Sequence, residues 1–396
     1  MTYNFDEIIN RKGTHSIKWD AREIIIKAGI TERFDDRSIP LFVADMDFAC
    51  PPAVIQALHK TVDQKIFGYT SEQTTPEYNE AVKNWFQRRM DWEIHDAEIV
   101  YCPGTVHALH VAVKAFTNPG DGIIIQRPVY APFTQAIEKN GRFVVNNELV
   151  HTDGYYTIDF ADLAQKAGDP DTTMMILCSP HNPVGRIWNV DELEQIADIC
   201  DRNGVILISD EIHGDLVRCG QSFTPIAGVA GTDNIIVCTA INKTFNVAGL
   251  HVSNIIIKNE HYRKKFRDVL GLVSPSPFGI AALLAAYNES EAWLEELKQY
   301  IDGNFALLEK FLAEKLPLVN YRRPAGTYIA WLDFSGYELT PEEIHRKIYE
   351  NANVVLEDGK IFGSKSAHFQ RLCLPTPRVI LQEAFDRIAK EFEEFI

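Results

Sequence analysis

Five short apolar runs, separated by longer amphipathic stretches, constrain the fold of this chain more than any other feature. They are residues 122–126 (GIIIQ), 173–178 (TMMILC), 205–209 (VILIS), 235–240 (IIVCTA) and 253–257 (SNIII). Each is nearly continuous in apolar character rather than alternating, the pattern of a strand covered on both faces. The stretch 191–203 has a helical period, with Asp191 placed to cap its start and Asn203-Gly204 to end it. Such alternation from about 98 to 257 predicts an α/β domain with a largely parallel sheet between helices. After Pro275-Ser276-Pro277 the texture changes to a long charged helical region (280–314), short strands (326–334) and a closing helix (379–395), which predicts a smaller α+β domain. At 396 residues two cores are expected. The expected division is 1–45, an irregular segment packing on the small domain or a partner; 46–279, the large domain; and 280–396, the small one.

The net charge of -16 argues against a nucleic-acid surface. The basic cluster from His261 to Arg267 reads as the solvated face of a helix. Seven cysteines without a C-x-x-C pair read as reduced packing residues of a cytosolic protein and give no support to a metal site. Asp6, Glu7, Arg11 and Lys12 leave no room for a signal peptide, and no apolar run reaches membrane-span length. The expectation is a soluble, cytoplasmic protein without nucleic-acid or membrane partners.

In open parallel sheets, ligands bind beyond the carboxyl ends of the strands. Those ends carry, in turn, Tyr130 after Arg127-Pro128-Val129; Asn182 in Ser179-Pro180-His181-Asn182-Pro183-Val184-Gly185; Asp210-Glu211-Ile212-His213; and Lys243. A lysine at the exit of a buried strand is unusual, because burying an ammonium is costly unless it is paired or neutralised. A desolvated amine is nucleophilic, which suits a Schiff base to an aldehyde cofactor. Singly, each group has an ordinary reading: a core tyrosine, an Asn-Pro turn, a solvated acidic strand end, a structural histidine, a lysine turned outward. Together at four successive exits they supply an aromatic plane, an amide, a carboxylate and an amine, the parts that hold a flat anionic heteroaromatic aldehyde. Gly104-Thr105-Val106 open a helix running to about 116, whose N–H groups and dipole favour an anion. No G-x-G-x-x-G follows a strand, which removes the usual dinucleotide reading.

With these residues the chain resembles a fold-type I pyridoxal-phosphate enzyme of the aminotransferase class I/II superfamily. More narrowly, it resembles the cystathionine β-lyase (cysteine-S-conjugate β-lyase) group of the MalY/PatB type. The likeness runs through Arg11-Lys12-Gly13-Thr14-His15-Ser16-Ile17-Lys18-Trp19-Asp20, Ala44-Asp45-Met46-Asp47-Phe48, Gly68-Tyr69-Thr70, Asn182-Pro183-Val184-Gly185-Arg186, Ser209-Asp210-Glu211-Ile212-His213, Lys243-Thr244-Phe245-Asn246, Arg371-Leu372 and Pro377-Arg378. The ADMDF, GYT and SDEIH strings favour the lyase group; ordinary aminotransferases often have Tyr where His213 stands.

The resemblance implies a seven-stranded, mostly parallel sheet in the large domain and pyridoxal 5′-phosphate as cofactor. It implies that Lys243 carries the cofactor and then acts as base, that Asp210 pairs with the ring nitrogen, that Asn182 bonds the phenolate oxygen and that Tyr130 stacks on the ring. His213 belongs to the same cofactor-binding set. Gly104, Thr105 and Val106 would bind phosphate, with Tyr69 reaching it from the other subunit of a homodimer. Arg371 would clamp the substrate α-carboxylate. The chain departs from the family pattern at Asn242 and Ala240, where small hydroxyl residues are usual, and at His251, where an arginine often binds phosphate. Asn242 or Thr239 is left to supply that contact. The expected reaction is β-elimination from an L-cysteine S-conjugate such as cystathionine. Transamination between an amino acid and a 2-oxo acid is the alternative, using the same Lys243, Asp210 and Arg371. A cofactor-binding regulatory protein without turnover is a third reading, against which the carboxylate clamp argues.

Overall fold

The computed structural model describes residues 2–71, 75–229 and 233–395. Its centre is a seven-stranded sheet built from β1 (Ile99–Cys102), β2 (Gly122–Ile125), β3 (Phe143–Asn146), β4 (Thr172–Cys178), β5 (Ile206–Asp210), β6 (Ile235–Ala240) and β7 (Ser253–Ile257). The spatial order is β1-β7-β6-β5-β4-β2-β3. Only β7 runs antiparallel to its neighbours, so the sheet is mixed but largely parallel. Strands β2, β6 and β7 are buried at every residue, which is why their sequences show no alternation. Two strands of this sheet lie outside the apolar runs read from the sequence: β1 (IVYC), which is short and leads straight into the Gly104 helix, and β3 (FVVN), an edge strand, part-buried to exposed along its length.

Register brings the strand ends level. Asp210 faces Cys178 on one side and Cys238 on the other. Ser253 lies opposite both Ala240 and Cys102. The residues that follow Cys102, Cys178, Asp210 and Ala240 therefore emerge along one edge of the sheet.

Two helix expectations change in detail. The helix α1 (Val190–Arg202) starts at Asn189, which forms a capping box with Glu192; Asp191 already lies inside the first turn, where its charge suits the dipole. The long charged region is two helices, α2 (Pro277–Glu289) and α3 (Glu291–Lys315), meeting at Ser290, whose hydroxyl donates to Ala285 O at 2.9 Å.

A second, antiparallel sheet is formed by β8 (Ile329–Asp333), β9 (Glu357–Asp358) and β10 (Phe369–Cys373), in the order β8-β10-β9. The chain near its start is woven into it: Ile39–Pro40 pair in parallel with Val354–Val355, and Cys373 N donates to Leu41 O at 2.9 Å. Further on, Asp47 accepts from Lys18 Nζ (2.7 Å), Trp19 Nε1 (2.8 Å), Arg11 Nη1 (3.0 Å) and Thr376 Oγ1 (2.8 Å). That cluster gives the Arg-Lys-Gly and ADMDF strings a structural task. Both tie the start of the chain to the edge where the strands of the large sheet end.

Candidate active site

Lys243 sits in a single helical turn, Ile241–Thr244, directly after β6. Its Nζ donates to Ala44 O at 2.6 Å, and the same carbonyl accepts from Tyr328 Oη at 3.0 Å. Burial lowers the pKa of the amine, since the charged form loses its water. The turn is anchored from below, where Thr244 Oγ1 donates to Asp215 at 3.0 Å and Asp215 also takes Trp85 Nε1 at 3.2 Å. On the other side Asn246, in the left-handed region at φ 57°, donates to Met46 O (3.2 Å) and Phe48 O (2.8 Å). The ADMDF segment is thereby fixed against the lysine loop, and Ala44 O against Nζ.

Asp210 ends β5 fully enclosed, with a 3.3 Å hydrogen bond from Ile212 N. Burial pushes its carboxyl up to about 7, against the pull of that N–H and of Lys243. Neighbouring Glu211 is pushed up to about 8 for the same reason, while accepting from Ser209 Oγ and Ile226 N. His213 is buried edge-on to Tyr328, 5.6 Å between ring centres; burial and the positive charges of Lys243 and Arg371 lower it to about 3, so it is neutral.

Asn182 and Arg371 meet, although 189 positions separate them: Arg371 Nη1 donates to Asn182 Oδ1 at 3.2 Å. Asn182 O in turn accepts from Tyr130 N at 3.1 Å, which joins two strand exits. Arg371 Nη2 donates to Phe42 O at 2.7 Å and pairs with Glu357, and the guanidinium lies 5.1 Å from the Phe362 ring centre. Gly104 stands at the N-terminus of the helix Thr105–Phe116, where no side chain among the described residues caps the first N–H groups.

The family model for aminotransferase class I and II matches residues 37–388. The chain belongs to that family. It is similar to cystathionine beta-lyase PatB of Bacillus subtilis, 41% identical over 391 residues that cover 97% of this chain and 98% of that protein. Among solved structures it is similar to cystalysin from Treponema denticola, which contains a pyridoxal 5′-phosphate cofactor (36% identity, TM-score 0.94, 100% of both chains). It is also similar to the PLP-bound C-S lyase from Staphylococcus hominis (34% identity, TM-score 0.92, 99% of this chain and 98% of that one). The central sheet is that of the fold-type I enzymes of this family.

The crevice suits the family's cofactor on its own chemistry. An enclosed carboxyl with one long hydrogen bond suits a cationic ring nitrogen. Uncapped helix N–H groups suit a phosphate. His213 Nδ1 is a buried polar atom that finds no partner among the described residues, which is costly unless a ligand supplies one; Asn242 Oδ1 is likewise unpartnered, but it only accepts, so it calls for a donor and not for a phosphate oxygen. Of the two residues expected to supply a phosphate contact, Thr239 already donates to Asn254 O across the sheet at 3.0 Å; a contact from Asn242 would have to come from its Nδ2. His251 is exposed, with φ 55°. Tyr69 is not brought into the crevice by its own chain; its side chain stands fully exposed.

Sequence reasoning missed Tyr328, the Ala44 carbonyl and Glu357. A main-chain oxygen leaves no trace in residue identity, and Glu357 is recognisable only through the register that sets it opposite Arg371. Tyr328 could have been suspected from Gly326-Thr327-Tyr328 ahead of an apolar strand.

Proposed function

We propose that the chain is a pyridoxal-phosphate-dependent carbon–sulfur β-lyase that cleaves L-cysteine S-conjugates, cystathionine among them, to a thiol, pyruvate and ammonia. Full-length similarity to PatB and to solved C-S lyases carries the lyase reading over transamination. When bound, the cofactor supplies an electron sink for the bonds at the substrate's Cα and Cβ.

The protein's own groups do the rest. Asp210 holds a proton on the ring nitrogen, because a buried carboxylate next to a cation is stabilised where an isolated one is not. Asn182 offers Nδ2 to the phenolate oxygen while its Oδ1 keeps Arg371 aligned. Tyr130 would cover a face of the ring, and His213, neutral, would belong to the same cofactor-binding set. The N–H groups of Gly104, Thr105 and Val106, with the Asn242 amide, take the phosphate. Arg371 binds the α-carboxylate. Lys243 Nζ, with its pKa lowered, accepts the Cα proton, and the Ala44 carbonyl holds it in place between proton transfers. The thiolate then leaves Cβ, and the three-carbon remainder hydrolyses to pyruvate and ammonia.

Tyr69 reaches the phosphate of a second copy, which makes the active form a homodimer, and the enzyme works in the cytoplasm. The crevice divides a large domain (46–279) from a small one (280–396), with 1–45 laid over the latter. Replacing Lys243 by Ala tests the assignment: thiol release from cystathionine should fall about a thousandfold or more. Release near the wild-type rate would overturn it.

A further inference from the structure

Arg371 occupies the middle strand of the small sheet, directly opposite Trp331 on one side and Glu357 on the other. Residues opposite one another on antiparallel strands share a face. The fold thus sets the Glu357 carboxylate against the guanidinium, and the two form an ion pair through Nη2.

The donor count is what matters. A guanidinium has five N–H groups and can grip a carboxylate bidentately along two edges, Nη1 with Nη2 or Nε with Nη2. Both edges need Nη2. One of its hydrogens goes to Phe42 O at 2.7 Å, and Nη2 also pairs ionically with Glu357 Oε2, which crowds that edge although Oε2 finds no hydrogen-bond partner among the described residues. Phe42 is held by its main chain, flanked by Leu41, whose N donates to Val355 O at 2.8 Å and whose O accepts from Cys373 N. The Glu357 side chain is the part with room to move: it is 24% exposed, against 3% for Arg371, although the paired Oε2 itself is buried. Nε is buried without a partner among the described residues, a donor still waiting for an acceptor. A neutral Arg–Glu pair also exerts little net attraction on an incoming anion.

We propose that Glu357 gates the clamp: in the resting enzyme its carboxylate takes the place of the substrate α-carboxylate on Arg371, and an α-amino acid binds by exchanging with it. Burial raises the pKa of Glu357 even beside the arginine, which fits a carboxylate that is not held at its lowest energy. The proposal rests on Arg371 being the α-carboxylate clamp of the lyase reading. It assigns Glu357 a role in substrate affinity and none in bond making.

The test is calorimetric titration of the holoenzyme with L-alanine, which has the amino and carboxyl groups of a substrate but no leaving group. Glu357→Gln should bind L-alanine about tenfold more tightly than the wild type, the worth of one charge-assisted contact no longer displaced. Glu357→Asp keeps the charge but draws it back, so its affinity should fall between the two. A strut that merely aligns Arg371 predicts the opposite sign, with weaker binding in both variants. Unchanged or weaker binding by Glu357→Gln overturns the gate. If that variant does not fold, Glu357→Asp decides by the same sign. Failure of the lyase reading shows separately, as a wild type that makes no pyruvate from cystathionine while Glu357→Gln still gains affinity for L-alanine.

Discussion

Asp210 is enclosed with one long hydrogen bond, so the folded chain keeps it protonated up to about 7, where an unfolded chain ionises it near 3.8. Glu211 behaves alike, with about 8 in place of 4.5. An acid whose folded pKa is raised adds stability below its unfolded pKa and loses that stability as pH climbs through the folded value. The buried, neutral His181 and His213, at about 4 and 3 when folded, act in the opposite sense, but only below their unfolded value of 6.5. Above 6.5 the raised carboxyls Asp210 and Glu211 act, joined in the same sense by Asp215 and Glu357 and opposed by Lys243, whose amine burial lowers. Cofactor-free protein should lose stability from pH 6.5 to 8, on the order of 1 kcal/mol per pH unit for each carboxyl that still holds its proton in the folded chain. Cofactor-loaded protein should lose less, because a ring-nitrogen cation keeps Asp210 ionised throughout. Denaturant midpoints of the two forms at several pH values check this; parallel curves would contradict the pairing of Asp210 with the ring. At this scale the sequence pointed to side chains that the fold encloses or brings into contact, as with buried Asp210, Lys243 against Ala44 O, and Asn182 against Arg371. It was silent where a main-chain oxygen (Ala44) or a cross-strand neighbour (Glu357) does the holding.

The loop after β4 shows how an element places a residue. Its turn closes through Gly185 N to His181 O (2.7 Å) and His181 N to Arg186 O (2.8 Å), and it docks through Gly326 N to Gly185 O (2.9 Å). Gly185 has φ +70°, and a Cβ there would lie 2.1 Å from Pro324 Cβ. Gly185→Ala should destabilise the protein by about 2 kcal/mol or more, through strain and overlap together. It should also weaken L-alanine binding, since Asn182 shifts with the turn and Arg371 with Asn182. A melting temperature and a dissociation constant both unchanged would contradict the account. Asn246 is the matching element on the lysine side: Asn246→Ala removes the bonds to Met46 and Phe48 and frees the segment that holds Ala44 O. We expect a lower kcat with less change in KM, measured by steady-state kinetics on cystathionine. The strands β2, β4, β5, β6 and β7 were legible through their continuous apolar runs, while β1, equally buried, is only four residues long and runs straight into the Gly104 helix. The edge strand β3 was not, since it is only part-buried and its pairing is one-sided. The break at Ser290 was hidden because helical periods on both sides read as one.

At the scale of the molecule, one chain leaves Tyr69 outside its own crevice, with the side chain exposed. Tyr69, Ile66 (76%), Phe67 (54%) and Leu272 (84%) are exposed. Thr70 Oγ1 donates to Pro275 O at 2.5 Å, which holds that loop at the start of α2. If Tyr69 serves the other copy, mixing Tyr69→Ala and Lys243→Ala proteins under subunit exchange should restore about a quarter of wild-type activity, since half the dimers then carry one intact site. No recovery, with exchange confirmed by mass, would contradict a shared site. Among the described residues no helix is long and apolar enough to cross a membrane. What the whole assembly does is settled most directly by incubating the purified holoenzyme with L-cystathionine and no 2-oxo acid, and measuring thiol and pyruvate together. The lyase account predicts the two in equal amounts over many turnovers. Product that forms only once a 2-oxo acid is added would contradict it and make the enzyme an aminotransferase.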